Sequence, residues 1–184
     1  MIKGKKIIVG VCGGIAAYKV CGLVHKLKYL GAEVTVIMTK NACEFVTPLT
    51  FQVLSDRPVY TEMFKLINKG EWSVEHVELA KKCDFLVIAP ATANVIGKLA
   101  GGIADDPLTT TALCVKAPVL ICPAMNTAMW SNAIVKANVN KLRKFGFKFF
   151  GPGSGKLACG DTGAGRLEEI EKILGVIIEM SGRN

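Results

Sequence analysis

Four short apolar runs constrain what this chain can fold into. Lys6–Val11, Glu33–Thr39, Asp84–Ala89 and Ala117–Cys122 are each six or seven residues long, and each carries Val and Ile. Runs of that length and composition read as strands buried on both faces. Around them lie segments with helical spacing: Ile15–Leu30 with Gly31 as its stop, Ser73–Lys82, Thr92–Leu99 ended by Gly101-Gly102, Asp106–Cys114 with Pro107 in its first turn, and Asn132–Lys144. A short helix capped by Asn41, another opened by Thr47-Pro48, a strand at Phe147–Phe150 and a closing helix from Leu167 complete the pattern. Strands alternating with helices at this spacing predict an α/β fold, a parallel sheet covered by helices on both faces in three αβα layers. Asp56–Trp72 has no clean period and is expected to be irregular or lid-like. With 184 residues, no linker and no repeat, one domain over 1–184 is expected.

A sheet of this kind presents ligands at the carboxyl ends of its strands. After the first run, Cys12-Gly13-Gly14 makes a turn into a helix, where glycine lets the backbone approach a phosphate and the helix end offers free N–H groups. The motif is not G-x-G-x-x-G, and a tight turn that simply needs glycine also fits it. Thr39 ends the second run. Pro90 is expected to stop the third, leading into Thr92, Ala93 and Asn94. Pro123 is expected to stop the fourth, so that Asn126 sits in the crevice with Met129 nearby, although Met is also an ordinary loop filler. Residues 151–166 hold six glycines in sixteen positions, which excludes a helix or central strand and predicts a mobile flap with Cys159 and Asp161 among its hinges.

The seven cysteines are scattered with no C-x-x-C pair, so neither a disulfide framework nor a metal site is expected. Cys12, Cys83, Cys114 and Cys122 lie in or beside apolar runs and read as buried, which leaves Cys159 as the accessible thiol. His76 stands between Glu75 and Glu78, a setting that also suits a plain surface histidine; His25, on the first helix, reads as structural. The net charge of +8 calls for anionic partners. Nucleic acid is disfavoured, because the 23 basic residues are dispersed and aromatics are 7% of the chain. No apolar run spans a bilayer and no signal peptide opens the sequence, so no membrane contact and a cytoplasmic setting are expected.

Pro123–Trp130 together with Gly151–Arg166 closely resembles the signature of the phosphopantothenoylcysteine decarboxylases, within the homo-oligomeric flavin-containing cysteine decarboxylases. The resemblance covers nearly the whole chain, since Gly10–Lys19, His76 and Pro90–Asp106 also match in order and spacing. It implies a Rossmann-like, flavodoxin-like fold and an FMN cofactor held at Gly14, Ile15, Ala16, Thr39, Thr92 and Ala93 beside Gly13, with Thr109 approaching the flavin. It further implies a phosphorylated small-molecule substrate, and a homo-oligomer of trimers, or a dodecamer built from them, with FMN sites shared between neighbours.

Decarboxylating a cysteine carboxylate directly would leave an unstabilised carbanion. In the resembling enzymes the flavin first oxidises the carbon bearing sulfur, so that a thioaldehyde can accept the electrons when carbon dioxide leaves. On that basis His76 is expected to act as acid or base, Asn126 to hold the carboxylate without adding charge, and Met129 and Ala158 to contact substrate. Cys159 is expected to protonate the enethiolate from the flap. Two other roles stay open: decarboxylation of a peptide ending in cysteine, and a non-catalytic FMN-binding regulatory subunit. A flavin prenyltransferase lacks both signature segments. The two-domain version of the family carries a C-terminal ligase; with the chain ending at Asn184, that activity is expected elsewhere.

Overall fold

A computed structural model of the chain describes residues 2–63 and 75–182, with the side chains of 75–77 outside the described ones. The sheet strands are β1 (Lys6–Val11), β2 (Glu33–Met38), β3 (Val59–Tyr60), β4 (Phe85–Ala91), β5 (Val119–Pro123) and β6 (Lys148–Phe149). They pair in the order β3-β2-β1-β4-β5-β6, and every pairing is parallel. The fold is therefore the parallel α/β sheet expected from the alternating pattern, of the Rossmann-like, flavodoxin-like type that the family resemblance implies.

Side chains alternate across each strand, which divides the core into two layers. Ile7, Val9 and Val11 of β1 and Phe85, Val87 and Ala89 of β4 face one side. There they meet Val20, Leu23 and Leu27 of α1 (Ala17–Tyr29), Phe51 of α2 (Pro48–Ser55) and, from the chain's far end, Ile173 and Ile177 of the last helix. Ile8, Leu86 and Ile88 face the other side, against α4 (Ala93–Gly101), α5 (Pro107–Cys114) and α7 (Ala133–Lys144) through Ile96, Leu108 and Leu142. Each such buried aliphatic contributes about 1.5–3 kcal/mol relative to exposure, so the sheet is a rigid platform for the loops at its carboxyl edge.

Several local expectations change. Pro90 does not end its strand: β4 runs on to Ala91, and a register shift between Ile88 and Ala91 accommodates the residue that has no N–H. Pro123 is likewise the last residue of β5 rather than a break before it. The stretch expected to be irregular contains β3, while its continuation toward Trp72 lies outside the described residues. Thr39, not Asn41, caps the 3-10 turn Lys40–Glu44 by accepting from the Ala42 N–H at 3.3 Å. A five-residue helix that the sequence pattern did not show, α6 (Thr127–Ser131), follows β5. The last helix, α8, begins at Ile170 rather than Leu167. The flap is an ordered two-stranded antiparallel ribbon, β7 (Gly153–Lys156) and β8 (Thr162–Arg166), apart from the main sheet.

Candidate active site

The loops after β1, β4 and β5, together with the β7–β8 hairpin, enclose a cavity of about 580 Å³. Of the predicted site residues, Gly13, Gly14, Ile15, Ala16, Thr92 and Ala93 line it from the sheet side. Asn126, Met129, Ala158 and Cys159 line it from the α6 and hairpin side. Sequence segments more than a hundred residues apart thus meet at one edge, because β1, β4 and β5 are adjacent in the sheet.

The sheet-side wall is built to receive an anion. α1 has no side-chain cap and no acidic residue in its first turn, so its partial positive charge is unopposed, while the Ala17 and Lys19 N–H groups already donate to the Gly14 and Ala16 carbonyls at 2.9 and 3.1 Å. A Cβ on Gly13 would run into Asn41, whereas one on Gly14 would meet nothing within 4 Å. The turn is thus pressed against the chain behind it and open toward the cavity. Lys19, one turn into α1, adds a cation that makes no ion pair among the described residues. These features fit a mononucleotide phosphate, the site type expected from the glycine turn.

On the opposite wall, Asn126 caps α6: its Oδ1 accepts from the Ala128 N–H at 2.8 Å. That bond fixes which end of the amide is which, so Nδ2 points away from the helix as a donor. Nδ2 donates to Asp161 Oδ2 at 3.0 Å and lies 3.5 Å from Cys159 Sγ. The Cys159 thiol in turn donates to the same Asp161 oxygen at 3.4 Å. The hairpin is tied down at its base, where the Met125 N–H donates to the Gly165 carbonyl at 2.9 Å. Gly165 has φ +154°, and a Cβ there would run into the Met125 carbonyl, so this closest approach requires glycine. Arg166 lies across the ribbon against Gly155, with Glu169 3.8 Å away.

Two predicted residues stand back from the cavity lining. Thr39 is committed to its 3-10 cap, and Thr109 is fully buried in a reciprocal cap with Asp106 at the start of α5. Both shape the wall from behind. His76 lies in the first turn of α3 (Glu75–Lys82), but its side chain is outside the described residues. His25 is exposed on α1. The sequence reading passed over Tyr18, Lys19 and Lys156, which also line the cavity. For Lys19 the available signal was a basic residue one turn beyond the glycine turn; for Lys156 it was one of only two cations, with Arg166, inside the flap.

The cysteines divide by burial. Burial pushes the Cys12 thiol up to about 12 and the Cys83 thiol to about 11, and it drives Cys122 up as well. Cys12 and Cys122 are buried and stay protonated, whereas Cys83, expected to be buried, is half-buried and donates to the Phe85 carbonyl at 2.9 Å. Cys114 was expected to be buried, yet it sits exposed at the end of α5, so Cys159 is not the sole accessible thiol. What distinguishes Cys159 is its company, an amide and a carboxylate at a cavity mouth. Among the described residues no cluster of His, Cys, Asp or Glu could hold a metal ion, and no helix is long and apolar enough to cross a membrane.

A family model described as Flavoprotein matches residues 1–182. The chain is 52% identical over 174 residues to the coenzyme A biosynthesis bifunctional protein CoaBC of Bacillus subtilis, covering 95% of this chain and 42% of that protein. It thus spans about two fifths of the length of the bifunctional relatives it matches. It is 44% identical over 177 residues to a protein of Streptococcus mutans named as a probable phosphopantothenoylcysteine decarboxylase, covering 95% of this chain and 98% of that one. Among solved structures it is similar to a PPC decarboxylase mutant complexed with pantothenoylaminoethenethiol, with a TM-score of 0.88, 31% identity and coverage of 96% and 98% of the two chains.

Proposed function

As the chain belongs to the Flavoprotein family, we propose that it is an FMN-dependent carboxy-lyase converting phosphopantothenoylcysteine to phosphopantetheine in coenzyme A biosynthesis. The observation that carries this reading is the pairing of Asn126 Nδ2 with Cys159 Sγ, 3.5 Å apart, across a cavity from an uncapped helix N-terminus. The two curated relatives and their names support it.

Gly13, Gly14, Ile15 and Ala16, with Lys19, would hold the FMN phosphate, and Thr92 and Ala93 would border the ring system. Thr39 and Thr109 brace those loops through their caps. When bound, the flavin supplies a two-electron oxidation of the carbon bearing sulfur and later returns the electrons as hydride. Asn126 holds the substrate carboxylate through Nδ2, a neutral donor that does not pin the anion against leaving as carbon dioxide. The electrons left behind enter the C=S bond and give an enethiolate, whose nucleophilic carbon is the one that lost the carboxylate. The proton must therefore arrive where the carboxylate was, and Cys159, beside the amide that held it, is placed to deliver it. Protonation there restores C=S, the acceptor for the returning hydride, and solvent then reprotonates Cys159. His76 is assigned the acid or base role in the oxidative half, and Met129 and Ala158 border the substrate.

Lys19, Lys156 and Arg166 around one cavity favour a phosphorylated substrate over a bare peptide terminus. Residues 1–184 are read as one flavoprotein domain, cytoplasmic and self-associated, as trimers or a dodecamer of trimers. Exposed Ile15, Tyr18, Leu49 and Val53 on the packed pair α1 and α2 support self-association, and Ile15 and Tyr18 carry that surface to the cavity. Sedimentation of the flavin-loaded protein tests this; a monomer at micromolar concentration removes it.

Product mass after incubation with phosphopantothenoylcysteine, beside a peptide ending in cysteine, tests the activity. Loss of carbon dioxide from the first substrate is expected. Loss from the peptide alone would transfer the chain to peptide processing, and loss from neither, with FMN bound, would leave a binding role. Cys159→Ala is expected to stop after decarboxylation with the flavin reduced.

A further inference from the structure

The bond between Asn126 and Asp161 has no place in the scheme above. Asn126 has one free donor group, Nδ2, and under the proposed function that group receives the substrate carboxylate. In the structure it already holds a carboxylate: Asp161 Oδ2 lies 3.0 Å away. The same oxygen accepts from the Cys159 thiol at 3.4 Å. Asp161 makes no ion pair among the described residues, so these two uncharged donors are its partners there. Its carboxylate is exposed at the hairpin tip, where the turn is closed by Leu157 N–H to Asp161 O at 2.7 Å.

We infer that Asp161 is an internal stand-in for the substrate carboxylate, competing for Asn126 and thereby timing the approach of Cys159. This rests on the proposed function. Both hydrogens of the amide are already engaged, one by Asp161 Oδ2 and one by Cys159 Sγ 3.5 Å away, and a second carboxylate brought to Nδ2 would be repelled by the first. Substrate binding therefore displaces Asp161. Cys159 is two residues away and bonded to the same atoms, so it is drawn off Asn126 with it. The proton donor is held back while the carboxylate is present. Loss of neutral carbon dioxide empties the amide, Asp161 returns, and Cys159 comes with it to the carbon that now needs a proton. Closure of the hairpin tip onto Asn126, as the structure shows it, is the arrangement after decarboxylation. The anion also sets specificity, because it penalises every carboxylate-bearing ligand relative to one without the group.

The test is binding by calorimetry to FMN-loaded wild type, Asp161→Ala and Asp161→Asn. The ligands are a pair that cannot be oxidised, the serine counterpart of phosphopantothenoylcysteine and the same molecule lacking its carboxylate. Asp161→Ala is expected to raise the preference for the carboxylate-bearing member about threefold to tenfold, with little change in the other. Asp161→Asn should shift it the same way by less, because its amide oxygen still accepts from Nδ2. An unchanged or reduced preference in both variants overturns the inference. A second readout separates it from the substrate assignment: the Asn126 side-chain amide signal in ligand-free protein should shift on Asp161→Ala. If that signal shifts while wild type binds neither ligand, the substrate reading fails and the contact stands. A signal that does not move overturns the stand-in role whatever the ligands do.

Discussion

The interior of the sheet and the tip of the β7–β8 hairpin each hold a cysteine, Cys122 in the core and Cys159 in the lining of the candidate site, and they are built on opposite terms. Cys122, in β5, is walled in by the core layer on the α1 and α8 side of the sheet and is held protonated by burial. Cys159 is exposed, on a ribbon whose strands are largely glycine, and its partners are two polar groups. The sheet keeps its geometry through area removed from water, a term indifferent to small displacements. The hairpin keeps its own through a few directional bonds and one backbone approach, which a single atom can spoil. An isolated two-stranded ribbon is marginal in water, and parts that must open for a substrate come from that low-stability end. Rigidity in this molecule is thus placed under the glycine-turn side of the cavity, and compliance over the Asn126 side.

The strongest way to break that contrast is to damage the sheet. Leu86→Ala, at a fully buried position of β4, is expected to lower unfolding free energy by about 2–5 kcal/mol in urea titration. Flavin binding should disappear in the same transition. If flavin is lost well before the sheet unfolds, the two regions are less coupled than the packing implies. Damage to the hairpin should separate the readouts. Gly165→Ala puts a methyl against the Met125 carbonyl and is expected to lower turnover about a hundredfold by misplacing Cys159, while the urea midpoint hardly moves. A matching fall in stability would show that the ribbon supports the core.

Alkylation sharpens the comparison at single atoms. With a small thiol reagent at neutral pH, Cys159 and Cys114 should label in native protein, and Cys12 and Cys122 only after denaturation, as read by peptide mass. Native labelling of Cys122 would mean that the sheet edge opens. The smallest effect lies away from both regions, where Lys98 donates to Asp105 at 2.7 Å and that bond holds the Asp105 carboxyl below its usual range. A depressed carboxyl contributes stability above its unfolded pKa of about 4, and that contribution is lost as pH falls through the lower folded value. Lys98→Met should therefore lower Tm slightly at pH 6, with the gap to wild type closing toward pH 3.

The layered sheet was legible because Val and Ile runs at βαβ spacing leave few alternatives, and because the glycine turn before α1 marks where a ligand can approach. Asn126 was legible as a polar residue beyond a strand end, and Cys159 as a thiol in polar surroundings. Its contact with Asp161 was not, since nothing in the spacing of 126 and 161 says that a ribbon folds back over α6. Pro90 misled because a lost N–H can be absorbed by a register shift that no local pattern announces. The five residues of α6 are too few to display a period, and Cys114 shows that an apolar neighbourhood along the chain does not ensure burial in space.

The strand order has a consequence for the growing chain. β1 lies between β2, which leaves the ribosome soon after it, and β4, whose paired residues begin at Phe85. At ordinary elongation rates that wait is on the order of ten seconds. Throughout it, one edge of an apolar strand is a row of unpaired amides and carbonyls, the kind of edge on which nascent chains join one another. The strand that leads into the glycine turn of the cavity is therefore the one that most needs shelter during synthesis.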